Sequence, residues 1–353
     1  MGRISTFGQH LYEGRLSFDF VGRRKLWYSI SLLIVLVATF GFIARGFNLG
    51  VEFKGGVEFQ AKVASANSQT VTKMINAATD SGVPGAGDPT GQTSGKSAIR
   101  IVTKALTTDE SVKVQDALTK AGATEVSQTL IGPTYGKQVA QKSLTGLIVF
   151  LFVVVIFIWA YFREWRMSVA GIVALAHDLL ITAGVYALSG FEVTPATVTG
   201  LLTILGYSLY DTVVVFDKVR ENTKGILKST TKIYPEQANL ALNQTLVRSI
   251  NTSVTALLPV GALLIVGITV LGNGPLKDLA LALFVGMLAG TYSSIFVATP
   301  LASQLKEADP AIKAQTARVL ARRTKQTESP SEVKAAAAVA HRPVAPSGAV
   351  KRT

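Results

Sequence analysis

Apolar residues are concentrated in six long stretches of this chain. A helix that crosses a lipid bilayer needs about 20 predominantly apolar residues, and each stretch is close to that length. The stretches fall at 26–44, 143–162, 167–188, 193–216, 250–271 and 276–300. The pattern therefore predicts an α-helical membrane protein with six transmembrane helices, the first at 26–45 and the other five within 143–304.

The segment 46–142 lies between the first two apolar stretches, and its apolar residues alternate with polar ones as in a water-soluble domain. Strand-like patterns occupy 56–63, 97–104 and 125–131, and amphipathic helical patterns occupy 68–80 and 107–122. Thr107 and Glu110 form a T-x-x-E capping box, which is typical of a helix start. Two β-α-β passes of this length predict a small ferredoxin-like α+β domain, in which 83–95 is a connecting loop rich in Gly, Pro, Thr and Ser.

Basic residues are distributed unequally between the segments that join the apolar stretches. Lysine and arginine are frequent in 1–25, 163–166 and 218–248, whereas the short loops 189–192 and 272–275 contain neither. Segments rich in Lys and Arg remain in the cytoplasm. Both termini are therefore predicted to be cytoplasmic, and the α+β domain extracytoplasmic, with 1–25 as a cytoplasmic N-terminus.

The final segment, 305–353, loses the apolar pattern. It is basic and contains a run of alanines and several prolines. This composition predicts a disordered cytoplasmic tail. Its expected role is that of a solvated segment with a weak attraction to anionic lipid.

Composition excludes several classes of function. The chain has no cysteine and three histidines, so it offers no disulfide or thiolate site and little for a metal centre. The formal net charge of +13 accompanies 48% hydrophobic residues, and the charge follows membrane topology, so nucleic-acid binding is not expected. The glycines of 91–97 have the wrong spacing for a P-loop. We expect neither an enzyme nor a bound cofactor or metal.

Ionisable side chains inside the apolar stretches are the candidate functional residues, because each costs about 2.5 to 3.5 kcal/mol to insert. His177 and Asp178 lie in the third stretch, Asp211 near the inner end of the fourth, and Arg248 at the start of the fifth. Asp178 shares a helix face with small and polar residues, which favours an interior position. A lone intramembrane His177 is more often a hydrogen-bonded packing residue, and Arg248 alone is typical of a membrane boundary.

Two lines of polar residues strengthen the case for Asp211 and Arg248. The lines are Thr203, Tyr207, Tyr210 and Asp211 in the fourth helix, and Arg248, Thr252 and Thr255 in the fifth. A polar line that faces lipid is costly, so both lines are expected to face the bundle interior, where Asp211 and Arg248 can pair. A titratable carboxylate beside a fixed positive charge suits a proton relay that includes Asp178, while a permanent structural ion pair remains the alternative.

Several motifs resemble those of the SecF family of protein translocase subunits. The segment 206–222 resembles the fourth-helix signature of the family, through Gly206, Asp217, Arg220, Glu221 and Asn222, and 245–253 resembles its fifth-helix signature. Shorter matches are His177-Asp178 in the third helix, Gly132-Pro133 before the second and Gly55-Gly56 after the first. The chain departs from the family at Glu52, where Asp is usual, and at Tyr210, where Asn is usual.

The resemblance implies an RND-type half-bundle that pairs with SecD in the bacterial cytoplasmic membrane. It also implies that proton entry moves the extracytoplasmic domains and so assists translocation of preproteins. The expected partners are SecD, the Sec channel proteins SecY, SecE and SecG, the SecA motor, the accessory protein YajC and the translocating preprotein. The alternatives are a small-molecule or lipid exporter subunit of the RND superfamily and a passive scaffold of the Sec complex.

Overall fold

The computed structural model describes residues 17–271 and 274–340. In chain order the helices are α1 (Arg24–Arg45), α2 (Val51–Lys54), α3 (Ser68–Thr79), α4 (Thr108–Lys120), α5 (Pro133–Phe162), α6 (Trp165–Ser189), α7 (Pro195–Asn222), α8 (Tyr234–Val266), α9 (Pro275–Ser293), α10 (Thr299–Glu307) and α11 (Pro310–Ala340). The strands are β1 (Asn48–Leu49), β2 (Gly56–Lys62), β3 (Thr90–Ser94), β4 (Ala98–Thr103), β5 (Glu125–Ile131) and β6 (Glu192–Val193). Within the described residues, six helical segments are long and apolar enough to cross a membrane, which confirms the predicted number.

The α+β domain consists of β2 to β5 with α3 and α4. Its antiparallel sheet has the order β3-β4-β2-β5, and one face is covered by the two helices around a core that includes Phe59, Ile101 and Leu118. The predicted capping box is present, because the backbone nitrogen of Thr107 donates to Glu110 Oε2 at 2.8 Å. The β-α-β-β-α-β order and this sheet confirm the ferredoxin-like prediction.

One strand of this sheet was not predicted. β3 lies within 83–95, which the sequence indicated as a loop, and it pairs with β4 in antiparallel register. Its residues are Thr-Gly-Gln-Thr-Ser, with no apolar alternation to mark a half-buried strand. The segment is a strand because its backbone completes the edge of the sheet.

Small residues allow the membrane helices to approach each other closely. At Gly184 of α6, an added Cβ would lie 2.2 Å from the Cβ of Ala38 in α1. At Gly290 of α9, it would lie 2.9 Å from the Cβ of Ser208 in α7. Glycine at such positions lets backbones pack without voids inside a membrane. These close approaches bring α1 against α6 and α9 against α7.

The bundle end opposite the α+β domain, called here the far end, is closed by segments outside the membrane spans. Phe20 and Val21 are buried there, and the backbone nitrogen of Phe20 donates to Asn239 Oδ1 at 2.8 Å. The tail predicted to be disordered from 305 onward instead continues as α10 and α11. Residues 341–353 of that tail, and 1–16 at the other terminus, lie outside the described residues.

The helical pattern of α11 explains this correction. Ile312 and Val319 are buried, and Gln315 between them donates to the backbone carbonyl of Lys232 at 2.9 Å. These residues are spaced three and four apart, so they share one face of a helix. Arg323, one turn further, contacts Glu236 at 2.6 Å. The segment is basic overall, so its composition gave no indication of this short buried helix face.

Candidate functional site

Asp178 lies near the midpoint of α6 with its side chain fully buried. Its carboxylate accepts a hydrogen bond from Ser208 Oγ of α7 at 2.5 Å and another from Ser293 Oγ of α9 at 2.9 Å. The Nδ1 atom of His177 lies 3.3 Å from the other oxygen. Three helices therefore meet at one carboxylate whose oxygens are both satisfied by polar groups.

Asp211 of α7 is the second buried carboxylate. Ser249 Oγ of α8 donates to its Oδ1 at 2.7 Å, and Ser294 Oγ donates to its Oδ2. Ser294 is the first residue of the π-helical turn Ser294–Ala298, which follows α9. Short π-helical turns inside a helix are rare and are frequent at functional sites.

The two carboxylates are connected through consecutive residues of one helix. Ser293 binds Asp178 and Ser294 binds Asp211, so α9 and its π-helical turn touch both. Adjacent residues of a helix point about 100° apart, which allows one short segment to serve two neighbouring helices. The structure thus places Asp178 and Asp211, both predicted from the sequence, in one polar cluster with four serines: Ser208, Ser249, Ser293 and Ser294.

Arg248 does not make the expected pair with Asp211. Its Nη2 donates to the hydroxyl of Tyr210 at 2.9 Å, while the residue that follows it, Ser249, reaches Asp211. The side chains of Arg248 and Tyr210 are exposed on the outside of this chain. Neighbouring residues of α7 and α8 therefore form two separate contacts. Asp211 and Ser249 form the buried one, and Tyr210 and Arg248 form the exposed one.

Asp211 is the buried member of the polar lines on α7 and α8, and the other members lie at or near the surface of this chain. An interior position for those other members therefore stays a prediction. Thr203, Tyr210 and Thr255 are exposed, and Tyr207 and Thr252 are partly exposed. The threonine hydroxyls bond back to their own helices: Thr203 Oγ1 donates to the carbonyl of Thr199 at 2.9 Å. Such bonds satisfy the hydroxyls locally and lower the cost of facing lipid.

His177 contributes its ring to an aromatic group beside Asp178. It stacks on Tyr292 with ring centroids 5.9 Å apart, and the Tyr292 hydroxyl lies 3.0 Å from Ser31 Oγ of α1. The Nε2 atom of His177 is buried without a hydrogen-bond partner among the described residues. This geometry orients His177 toward Asp178 and agrees with a packing role.

The glycine pairs near the α+β domain form a tight junction. Gly55 has φ +74° and lies against the start of α5, where an added Cβ would be 2.7 Å from Cα of Pro133. Gly56 has φ +149°, and an added Cβ would be 2.5 Å from the carbonyl oxygen of Thr103. Gly132 precedes α5 as its N-cap, and Pro133 begins the helix. These motif residues hold the domain against α5.

The remaining motif residues lie apart from the buried carboxylates. Gly206 is exposed on α7, and Arg220 is exposed near its C-terminus. Asp217 accepts a hydrogen bond from the Tyr161 hydroxyl at 2.6 Å, and Asn222 donates to Gln244 at 2.9 Å. The contact of Glu221 is with Lys218, at 2.9 Å. The structure therefore places residues 217–222 of the signature at the far end of the bundle, while Gly206 lies near the middle of α7.

A polar cavity of about 250 Å³ separates the α+β domain from the membrane helices. Arg100 of β4 lies in it, with Glu58 of β2 at 2.8 Å and Glu192 of β6 at 2.7 Å. The same cavity is lined by Glu52 of α2 and by Asp278 of α9. No group of three or more His, Asp or Glu residues within 17–271 and 274–340 has a metal-binding arrangement.

Glu52 is the carboxylate of this cavity that lies on α2, outside the membrane spans. Burial raises the pKa of Glu52 above the usual 4.5, against the opposing effects of a backbone hydrogen bond and of Arg100. Its Oε2 atom is buried without a hydrogen-bond partner among the described residues. The folded state therefore favours the neutral form, and the stability from this group is complete below about pH 4.5 and is lost as the pH rises through the raised value.

We expect Glu52→Gln to increase the melting temperature at pH 8, because glutamine keeps the shape without the buried charge. A gain of about 1 kcal/mol corresponds to roughly 1 to 2 °C for a chain of 353 residues. The increase should diminish at pH 5. Thermal melting of the purified protein at both pH values measures this, with the exposed Glu125→Gln as the matched control. An equal change in both variants would contradict the assignment.

Six apolar spans, an α+β domain inserted after the first, and carboxylates buried between helices define a multi-pass membrane protein with an ionisable core. Residues 112–308 match the family described as protein export membrane protein SecD/SecF, C-terminal, and residues 40–66 match the SecD/SecF GG motif. The chain belongs to the SecD/SecF family of protein export membrane proteins.

Individual relatives agree with this membership. The chain is 48% identical over 328 residues to the protein translocase subunit SecF of Streptomyces coelicolor. This alignment covers 92% of this chain and 86% of that protein. It is 43% identical to the SecF subunit of Mycobacterium tuberculosis strain H37Rv, over 93% of this chain and 76% of that protein. The crystal structure of SecDF from Thermus thermophilus superimposes with a TM-score of 0.73 and 30% identity, over 87% of this chain and 40% of that longer chain. These relatives are named as transport proteins.

Proposed function

We propose that this chain works as the SecF-type subunit of a SecD-SecF pair, which uses the proton motive force to assist translocation of preproteins across the bacterial cytoplasmic membrane. The observation that carries the proposal is the pair of buried carboxylates, Asp178 and Asp211, held by serines in otherwise apolar helices. Intramembrane carboxylates of this kind mark proton relays and ion pathways.

The serine contacts suit a site that changes its protonation state. An ionised carboxylate accepts from hydroxyl groups, and a protonated one can donate to them after the hydroxyls rotate. The carboxyl groups of Asp178 and Asp211 are therefore hydrogen-bonded in both protonation states. The direction of these bonds to the neighbouring helices differs between the two states. A proton that moves through 100 mV releases about 2.3 kcal/mol, which biases two helix arrangements about 50-fold.

The exposed polar face of α7 and α8 indicates where a partner covers the bundle. Arg248 and Tyr210 lie on this face, together with Thr203 and Thr255. An arginine directed at lipid is costly, so a second helical bundle with a carboxylate is the natural cover. A SecD bundle supplies this cover in the proposal. The resulting assembly would act with SecY, SecE, SecG, SecA and YajC, with both termini of this chain in the cytoplasm.

Partner dependence gives a direct test of this assembly. Expressed alone, the chain should be degraded or inactive, and co-expression of a SecD-like protein should restore its level, because the partner covers Arg248. Quantitative immunoblotting of membranes, followed by co-purification, measures both effects. A stable and active chain without that partner would contradict the proposal.

A further inference from the structure

Besides its junction with α5, the α+β domain contacts the bundle at the loop between α6 and α7, to which it is not directly joined in sequence. β1 pairs in parallel with β6 of this loop, with Leu49 opposite Val193. The backbone nitrogen of Gly50 donates to the carbonyl of Val193 at 2.9 Å, and Asn48 Nδ2 donates to that of Gly190 at 3.1 Å. The loop therefore holds the segment that leads from α1 into the domain.

Arg100 adds a charged contact to this backbone pairing. Its Nη2 donates to Glu58 Oε2 of the neighbouring strand, so the guanidinium is fixed within the domain. Its Nη1 lies 2.7 and 2.8 Å from the two carboxylate oxygens of Glu192 in the loop. The side chain of Arg100 is 7% exposed. One buried arginine thus binds a carboxylate from each of the two parts of the molecule.

The loop is in turn fixed to the helices that hold the buried carboxylates. It connects α6, which carries Asp178, directly to α7, which carries Asp211. Thr194, the N-cap of α7, donates to Asp278 Oδ2 of α9 at 3.2 Å. Tyr186, near the end of α6, donates to the backbone carbonyl of Asp278 at 2.7 Å. Any relative shift of these three helices must move the loop that holds Glu192.

The contact between Arg100 and Glu192 can separate without disrupting a packed apolar core. It borders the polar cavity of about 250 Å³, which also contains Glu52, Lys277 and Asp278. Water can occupy such a polar space and solvate the two charges when they part. The chain links at β1 and β5 join the domain to α1 and α5, and these helices carry neither Asp178 nor Asp211.

We propose that Arg100 and Glu192 form a coupling joint, through which movement of the α6-α7 hairpin reaches the α+β domain. Arg100 acts as a positioning residue: Glu58 fixes it in the domain, and Glu192 connects it to the hairpin. This inference rests on the proposed proton-driven function. Its first test therefore measures the position of the domain and does not depend on export.

The test uses spin labels, which the absence of cysteine from the sequence makes specific. Cysteines replace Val112 on α4 and Ile148 on α5, both exposed, and the full chain is studied with its SecD-like partner in lipid vesicles. Double electron-electron resonance compares the label distance with and without Asp211→Asn, which mimics the protonated site. We expect Asp211→Asn to shift the distance, and Arg100→Gln or Glu192→Gln to abolish that shift.

Matched variants separate coupling from folding. Lys62→Gln breaks an exposed ion pair of the same sheet, at 2.7 Å from Glu125, and should leave the shift intact. Arg100→Lys should restore part of it, because lysine keeps the charge but loses the planar fork. A distance shift that persists in both Arg100→Gln and Glu192→Gln would overturn the joint. The joint would also be overturned if Asp211→Asn alone produced no shift.

A covalent replacement of the joint provides a second, independent measurement. Leu49→Cys with Val193→Cys occupies partner positions of paired strands, where a disulfide can form. In the Arg100→Gln chain, oxidation of this pair should restore proton-dependent export, and reduction should remove it again. The control pair Gln60→Cys with Ser127→Cys lies within the domain and should restore nothing. Loss of stimulation in Asp211→Asn, combined with no rescue, would reject the joint and leave the proposed function in place.

Discussion

Asp211→Asn should insert and fold normally but lose the part of export that depends on the proton motive force. Asparagine has almost the same shape as the neutral aspartic acid, and it can still bond to Ser249 and Ser294, which contact Asp211 in the structure. It cannot bind or release a proton. Export into energised inverted vesicles, with and without an uncoupler, measures the loss, which should be complete.

Asp217→Asn provides the matched control for this experiment. The same chemical change is made on the same helix, but Asp217 is partly exposed near the far end and accepts from the Tyr161 hydroxyl. We expect this variant to retain most of the uncoupler-sensitive export. If Asp211→Asn retained full stimulation, the relay would be rejected and a structural role for the serine cluster would explain the buried carboxylate better.

Arg248→Ala should weaken the complex with the SecD-like partner and abolish proton-driven export. Arg248 is exposed on this chain beside Tyr210, so its guanidinium is available to a carboxylate of the partner bundle. Removal of one member of a buried ion pair costs about 3 to 5 kcal/mol, because the other charge remains buried and unpaired. Co-purification in detergent of increasing stringency measures the weakening.

Two other arginine variants complete this experiment. Arg248→Lys should recover part of the assembly and activity, since lysine provides a point charge without the bidentate geometry. Arg318→Ala removes an exposed arginine of α11 whose side chain donates to the carbonyl of Ala314 in its own helix, and it should change neither measurement. Normal assembly of Arg248→Ala would show that the exposed face is not the partner contact.

The sequence predicted the membrane spans and most of the α+β domain, because these features are set by local physics. A stretch of about 20 apolar residues has few alternatives to a transmembrane helix, and a capping box fixes a helix start within one turn. β3 and α11 were missed because their structure depends on distant segments. β3 needs β4 as a partner, and α11 needs the loop that contains Lys232.

The candidate site was predicted only in part. Asp178 and Asp211 stand out because charges are rare in apolar helices, but the serines do not. A serine in such a helix commonly bonds to its own backbone, as Ser253 does to the carbonyl of Ser249 at 2.8 Å. The sequence placed Arg248 at the same depth as Tyr210 and Asp211, yet helical spacing could not distinguish contact with Tyr210 from contact with Asp211.

The consecutive serines at the start of the π-helical turn have a thermodynamic consequence. Ser293 and Ser294 hold carboxylates of different helices, so an adjustment of this turn at one site alters the hydrogen bond at the other. By reciprocity, the factor by which a proton on Asp178 changes proton binding at Asp211 equals the factor in the opposite direction, and such couplings commonly amount to about 1 to 3 kcal/mol. A change of protonation at either aspartate can therefore reach the other through these two serines.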